Sequence, residues 1–118
     1  SIFENILIFR KPGRRKVSKE TKEKSKLTKK DWMEWTRGVW FIEPDRKAKH
    51  PATFPLDIPE RLIKLYSFVG DVVYDPFAGT GTTLIASWIH GRNSIGVEIN
   101  PEFLEEFKQK WNTFRTLF

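Results

Sequence analysis

The stretch Asp75-Pro-Phe-Ala-Gly79-Thr-Gly81-Thr-Thr83 most constrains this chain, because it joins two kinds of hydrophobic pattern. Before it, Val72-Val73-Tyr74 predicts a short buried strand. After it, residues 84–90 predict a helix closed by Gly91. The motif is therefore a turn where a strand hands over to a helix. Two residues without a Cβ, Gly79 and Gly81, allow a sharp bend and a close backbone approach to a ligand. Thr82 and Thr83 open the helix and offer hydroxyls beside free backbone N–H groups. Such an arrangement suits a carboxylate or a phosphate.

A Gly-x-Gly pair is common in ordinary loops, so its surroundings decide its meaning. A second short strand, Ser94-Ile-Gly-Val97, ends in Glu98, 23 positions after Asp75. That interval is near the roughly 20 residues at which an acid reaches a ribose hydroxyl in a βαβ nucleotide site. Asn100 then caps a new helix and Pro101 takes its first position. The alternative is a βαβ unit that only packs.

Residues 75–83, with Gly96-Val-Glu-Ile-Asn100, resemble the S-adenosylmethionine-binding motifs of amino-group DNA methyltransferases, which modify adenine N6 or cytosine N4. Lys49-His-Pro-Ala-Thr-Phe-Pro55 resembles the segment preceding the glycine motif in the β-ordered members. The resemblance implies an α/β fold: a partial Rossmann-like methyltransferase sheet with helices on both faces. It implies S-adenosylmethionine as cofactor, with Asp75, Phe77, Ala78, Gly79, Gly81, Thr82, Thr83, Glu98, Ile99 and Asn100 at its site. Pro51, Ala52, Thr53 and Phe54 would line the methionine end. It also divides the chain into a closing strand (1–13), a short basic target-recognition segment (14–48) and a cofactor-binding βαβ region (49–118).

Charge supports that division. Residues 1–50 hold 15 Lys and Arg against 7 Asp and Glu, whereas residues 51–118 hold 6 against 8. A basic segment beside a nucleoside site points to a polyanion held by one part and a cofactor by the other. Residues 14–30 carry nine basic residues and two aliphatic ones, too little apolar surface to order themselves, which predicts a flexible loop. Arg14, Arg15, Lys16, Lys22, Lys24 and Lys26 are candidate phosphate contacts, and Arg37 and Arg46 candidate phosphate or base contacts. The other reading is a solvated loop.

Several further elements are expected. Residues 3–9 predict a strand ended by Arg10-Lys-Pro-Gly13. Thr28 and Asp31 resemble a capping box before a helix over 31–37. Trp32 and Trp35 share one face of that helix; with Trp40 and Phe41 they form either a hydrophobic lid or a platform for a base. Asp57 caps a helix reaching Gly70, with Ile58, Leu62, Leu65, Tyr66 and Val69 as its apolar stripe. The last helix, from Pro101 to about Phe114, places Phe103, Leu104, Phe107, Trp111 and Phe114 in a core stripe.

The family's catalytic motif is an acid, Asn or Ser followed by Pro-Pro and an aromatic residue. No Pro-Pro pair occurs here; at Asn100-Pro101-Glu102-Phe103, Glu102 stands where the second proline belongs. In β-ordered members the motif precedes the recognition region, so it is expected upstream of Ser1. The absence of cysteine excludes cytosine-C5 chemistry within this chain, which needs a cysteine nucleophile, and also disulfides and thiolate metal sites. Two histidines, at positions 50 and 90, suggest no metal centre, and His50 reads as a structural residue. No run approaches a membrane span, so the expected setting is cytoplasmic, with DNA as partner and no membrane. The three visible strands need more cover than this chain holds, to be supplied by missing sequence, a complementary methyltransferase fragment or self-association. The competing readings are a non-enzymatic basic nucleic-acid-binding module and a methyltransferase fragment acting on RNA.

Overall fold

The computed structural model describes residues 3–43 and 56–117. His50, Arg46 and the segment from Pro51 through Phe54 lie outside the described residues. The core is one strand–helix–strand unit. Strand β1 (Val72–Asp75) and strand β2 (Asn93–Gly96) run parallel, with Val72 opposite Asn93 and Tyr74 opposite Ile95. Helix α4 (Thr82–Ile89) connects them and lies across one face of the pair. Its Ile85, Ala86 and Ser87 are buried, and Ser87 hides its hydroxyl by donating to the Thr83 carbonyl at 2.8 Å.

The sheet's other face is open. Val72 and Tyr74 are each 61% exposed, and Ile95 and Val97, on the same side by alternation, are exposed as well. Residues 72–74 were expected to form a short buried strand, in a sheet needing more cover than this chain holds. Among the described residues, the helices gather on the α4 side, and the second face keeps its apolar residues in water. The partial parallel α/β architecture is as expected; the expected helices on the second face are not among the described residues.

The strand expected over residues 3–9 does not form in this structure. Phe3, Ile6, Leu7, Ile8 and Phe9 are all exposed. Strand propensity is chiefly a preference for a half-buried pleated surface with a neighbour. No described strand lies beside this run to provide one.

The basic segment is more ordered than its composition implies. Helix α1 (Lys19–Lys24) starts at Ser18, whose Oγ accepts from the Thr21 amide, and Lys24 pairs with Glu20 one turn back. What orders it is docking rather than burial of its own. The Val69 amide donates to Ser25 Oγ at 2.8 Å, and Arg15 donates to Asp71 Oδ1 at 2.7 Å while covering the Phe68 ring. Helix α2 (Lys29–Trp35) follows, with Thr28 Oγ1 accepting from the Asp31 amide as the capping-box reading requires.

Trp32 and Trp35 part company. Trp35 is buried, and Trp32 is exposed. The Trp40 indole donates to the Trp35 carbonyl, and the Arg61 guanidinium lies 5.7 Å from the Trp35 ring centre and 5.3 Å from that of Trp40. The lid reading therefore fits Trp35 and Trp40, while Trp32 and Phe41 keep exposed rings.

Helix α3 (Asp57–Tyr66) differs from expectation at both ends. Asp57 is its first residue rather than its cap, because Leu56 precedes it in helical backbone and no side chain caps the start. The helix stops four residues before Gly70. Ser67 turns extended there, and its carbonyl and hydroxyl accept from the guanidinium of buried Arg92. Pro59 and Ile63, both outside the expected stripe, are the buried residues of α3, whereas Tyr66 is exposed. Helix α5 (Pro101–Leu117) begins as predicted, with Asn100 Oδ1 accepting from the Glu102 amide. It packs by one side only: Trp111 meets Trp88 edge-on at 5.2 Å, and Leu104 stays exposed.

Asp71 ties the basic segment to the root of β1. Its partial burial works to raise its pKa. The Arg15 hydrogen bond, the Phe68 amide and the charges of Arg15 and Arg92 outweigh this and hold it below the ordinary value. A depressed carboxylate contributes stability that is present above the unfolded value near ~3.9 and is lost as pH falls through the folded value. Asp71→Asn, which mimics the protonated acid, should therefore melt lower than the parent at neutral pH. The gap should close as both are acidified through the depressed folded value. Melting curves from neutral to acid pH test this; a constant gap would contradict it.

Candidate functional site

The candidate crevice lies where the loop after β1 meets the turn after β2, at the strand ends where open α/β sheets bind ligands. Three backbone bonds shape it. The Val97 amide donates to the Asp75 carbonyl, the Ala78 amide to the Val97 carbonyl, and the Gly81 amide to the Ala78 carbonyl. Asp75 acts on its own loop: its Oδ1 accepts from the Phe77 amide at 3.0 Å, an Asx turn that fixes the bend. Phe77 is left with its ring in solvent.

Glu98 joins the two halves. Its Oε1 accepts from the Gly79 amide and its Oε2 from the Asn100 amide, each at 2.8 Å. An ionised carboxylate offers about four lone-pair sites. Two are thus used to hold the loop against the turn, and about two are left for ligand hydroxyls. The acid predicted to meet a ribose is also the clasp of its own crevice.

The two glycines divide the work. Gly79 has φ +55° and a Cβ there would meet nothing within 4 Å, so its bare side faces open space. Gly81 has φ +83°, and a Cβ there would run into the Phe107 ring of α5. At Gly81 the missing Cβ leaves room for α5 to sit beneath the loop. Thr82 and Thr83 are the first two residues of α4, as predicted, and their amides belong to the first turn, which lacks intrahelical acceptors. Ile99 is 96% exposed at the crevice rim, beside Asn100.

Thus Glu98 is bonded to both Gly79 and Asn100, with Phe77, Ala78, Thr82, Thr83 and Ile99 on the adjoining backbone. Two supporters were missed in the sequence. Thr80 is buried, and Lys110 of α5 donates to its Oγ1 at 2.9 Å and lies 3.5 Å from its carbonyl. The available signal was the position of Lys110 in the helical series 103, 107, 110, 114, otherwise aromatic: a cation on an apolar stripe needs an acceptor.

The basic candidates lie on the docked segment. Arg14, Lys16, Lys22, Lys24, Lys26 and Arg37 are exposed. Lys24 and Lys26 pair with Glu20 and Glu23. Arg15 is exposed too, and one nitrogen of its guanidinium also anchors the segment to Asp71.

Comparison with known proteins places this geometry. The N6/N4 family model described as DNA methylase matches residues 1–109. The type II methyltransferase M.BglI of Bacillus subtilis is 41% identical over 116 residues, covering 97% of this chain and 32% of that protein. The type II methyltransferase M.MthZI of Methanothermobacter thermautotrophicus is 39% identical over 123 residues, covering 92% and 34%. A Thermus thermophilus protein described as a DNA modification methylase, solved in complex with S-adenosyl-L-methionine, superimposes with a TM-score of 0.74. It is 45% identical, over 85% of this chain and 38% of the other. The chain thus spans about a third of the length of the relatives it matches.

The two glycines predict different outcomes. Gly81→Ala should cost about 2–4 kcal/mol, combining overpacking against Phe107 with a left-handed backbone. Gly79→Ala should cost only the backbone part, about 1–2 kcal/mol. Chemical denaturation measures both, and equal losses would contradict the assignment of Phe107 to Gly81.

Proposed function

Because the chain belongs to the N6/N4 DNA methylase family, we propose that it forms the cofactor-binding and target-recognition part of a site-specific DNA methyltransferase. The reaction is methyl transfer from S-adenosylmethionine to adenine N6 or cytosine N4. The observation that carries the reading is the Glu98 clasp, which sets a carboxylate, a bare Gly79 and the first turn of α4 around one crevice.

The residues fit such a cofactor. Glu98 keeps acceptor sites for the ribose hydroxyls. The amides of Thr82 and Thr83 suit the methionine carboxylate. Phe77 and Ile99, 86% and 96% exposed, give apolar surface for the adenine. Pro51, Ala52, Thr53 and Phe54 complete the methionine end on this reading. The bound cofactor supplies an electrophilic sulfonium methyl; this chain's part is to orient it and keep water from it.

The target base has to leave the duplex to be reached. On this reading Arg14, Lys16 and Lys22 hold phosphates, with Arg37 and Arg46 at phosphates or bases, and exposed Trp32 or Phe41 is available to stack. The Pro-Pro-aromatic motif that holds the amino group comes from polypeptide outside this chain. That polypeptide also covers the open face at Val72, Tyr74, Ile95 and Val97, and residues 3–9 join its sheet as a closing strand. Family membership does not favour the readings as a scaffold-only basic module or an RNA enzyme.

The test is transfer of labelled methyl groups to duplex DNA by the intact protein that carries this chain. Label should appear in N6-methyladenine or N4-methylcytosine. Glu98→Ala should raise the cofactor KM by about 10–100-fold, as expected for lost hydrogen bonds to a charged acceptor. This chain on its own should transfer none. Label at cytosine C5 or only in RNA, an unchanged KM, or turnover by this chain alone would each contradict the proposal.

A further inference from the structure

We infer that Lys110 is a positioning residue for the cofactor loop, acting through Thr80. This rests on the proposed cofactor site and adds to it a residue from α5, which itself lines no part of the crevice described above. Lys110 is half-buried, 30 positions from Thr80, and reaches back to donate to its hydroxyl oxygen at 2.9 Å. Thr80 is the residue between the two glycines. It is 5% exposed, so its side chain points into the protein and not into the crevice.

The loop needs such an anchor. Its two flanks, Gly79 and Gly81, both take positive φ and constrain the backbone least. On one side Glu98 holds the Gly79 amide. On the other, Phe107 fills the space under Gly81 but offers no hydrogen bond to fix the loop's height. Lys110 supplies that bond one turn further along α5, beside Trp111, which is stacked on Phe107 and edge-on to Trp88 of α4. The aromatic packing sets where α5 lies, and the ammonium transmits that position to Thr80. A lysine side chain gives up about 2 kcal/mol of rotamer entropy when held, so a bond to a buried hydroxyl is a costly way merely to solvate an ammonium.

The mechanism predicted is indirect. With Thr80 held, the Gly79 amide stays on Glu98 and the first turn of α4 stays aimed into the crevice. Without it the loop samples other heights, and the cofactor has to select the competent one.

Calorimetric titration of the intact protein with S-adenosylmethionine tests this with Lys110→Met, Thr80→Val, the double variant and Lys110→Arg. Lys110→Met keeps the apolar stem and removes the donor; Thr80→Val keeps the volume and removes the nearer acceptor, leaving the carbonyl at 3.5 Å. Each single change should weaken binding about five- to tenfold, part of what a charged hydrogen bond contributes. The double variant should be no weaker than Lys110→Met, which already removes the bond that Thr80→Val breaks. Lys110→Arg, which keeps a cationic donor, should recover most of the affinity. Additive losses in the double variant, or unchanged affinity in Lys110→Met, would overturn the inference while leaving the cofactor site standing. Failure of the parent protein to bind would overturn the site itself, and this inference with it. Should Lys110→Met not fold, Thr80→Val decides alone: parent-like affinity there overturns the proposal.

Discussion

The Glu98 carboxylate holds together the two chain reversals from which the crevice is made. Each reversal lies at the C-terminal end of a parallel strand, and nothing in the sheet's own hydrogen bonding couples them beyond Val97. By accepting from the Gly79 amide on one oxygen and the Asn100 amide on the other, one side chain fixes the loop after β1 against the start of α5. Charge-assisted bonds of this kind are shorter and stronger than neutral ones. The location follows the general rule for open α/β sheets, which bind ligands outside the carboxyl ends of their strands.

Around that clasp the structure is built from one side. Helix α4 covers one face of a two-stranded sheet, α5 supports its first turn through Phe107 and Lys110, and α3 packs beside it and carries the Trp35–Trp40 lid. The opposite face, with Val72, Tyr74, Ile95 and Val97, remains apolar and exposed. A parallel sheet is ordinarily covered on both faces. Together with a chain spanning about a third of its relatives, this supports a part that works within a larger sheet.

Local patterns were legible wherever the physics is local. The strand–bend–helix at residues 72–89, the Thr28 cap and the Asn100–Pro101 start all lie within a few residues of the atoms they bind. The basic segment was misread as loose because what orders it is remote: Ser25 accepts from Val69 across 44 positions, and Arg15 reaches Asp71 across 56. Composition measures only what a segment can bury by itself. The end of α3 was misplaced for a related reason, since Arg92 takes the Ser67 carbonyl and stops the helix before its glycine. That Gly81 makes room for Phe107 was not legible, because the sequence gives no means of telling which way a missing Cβ would have pointed. Residues 3–9 have strand composition, but a strand also needs a neighbour, and composition is silent on that.

The central claim is that the crevice closed by Glu98 is where the cofactor sits. Backbone amide shifts of the isotope-labelled intact protein, followed as S-adenosylmethionine is added, measure this residue by residue. The account predicts that the largest changes fall at Gly79, Thr82, Thr83, Ile99 and Asn100. Changes confined to the basic segment over residues 14–26, or none at saturating cofactor, would contradict it.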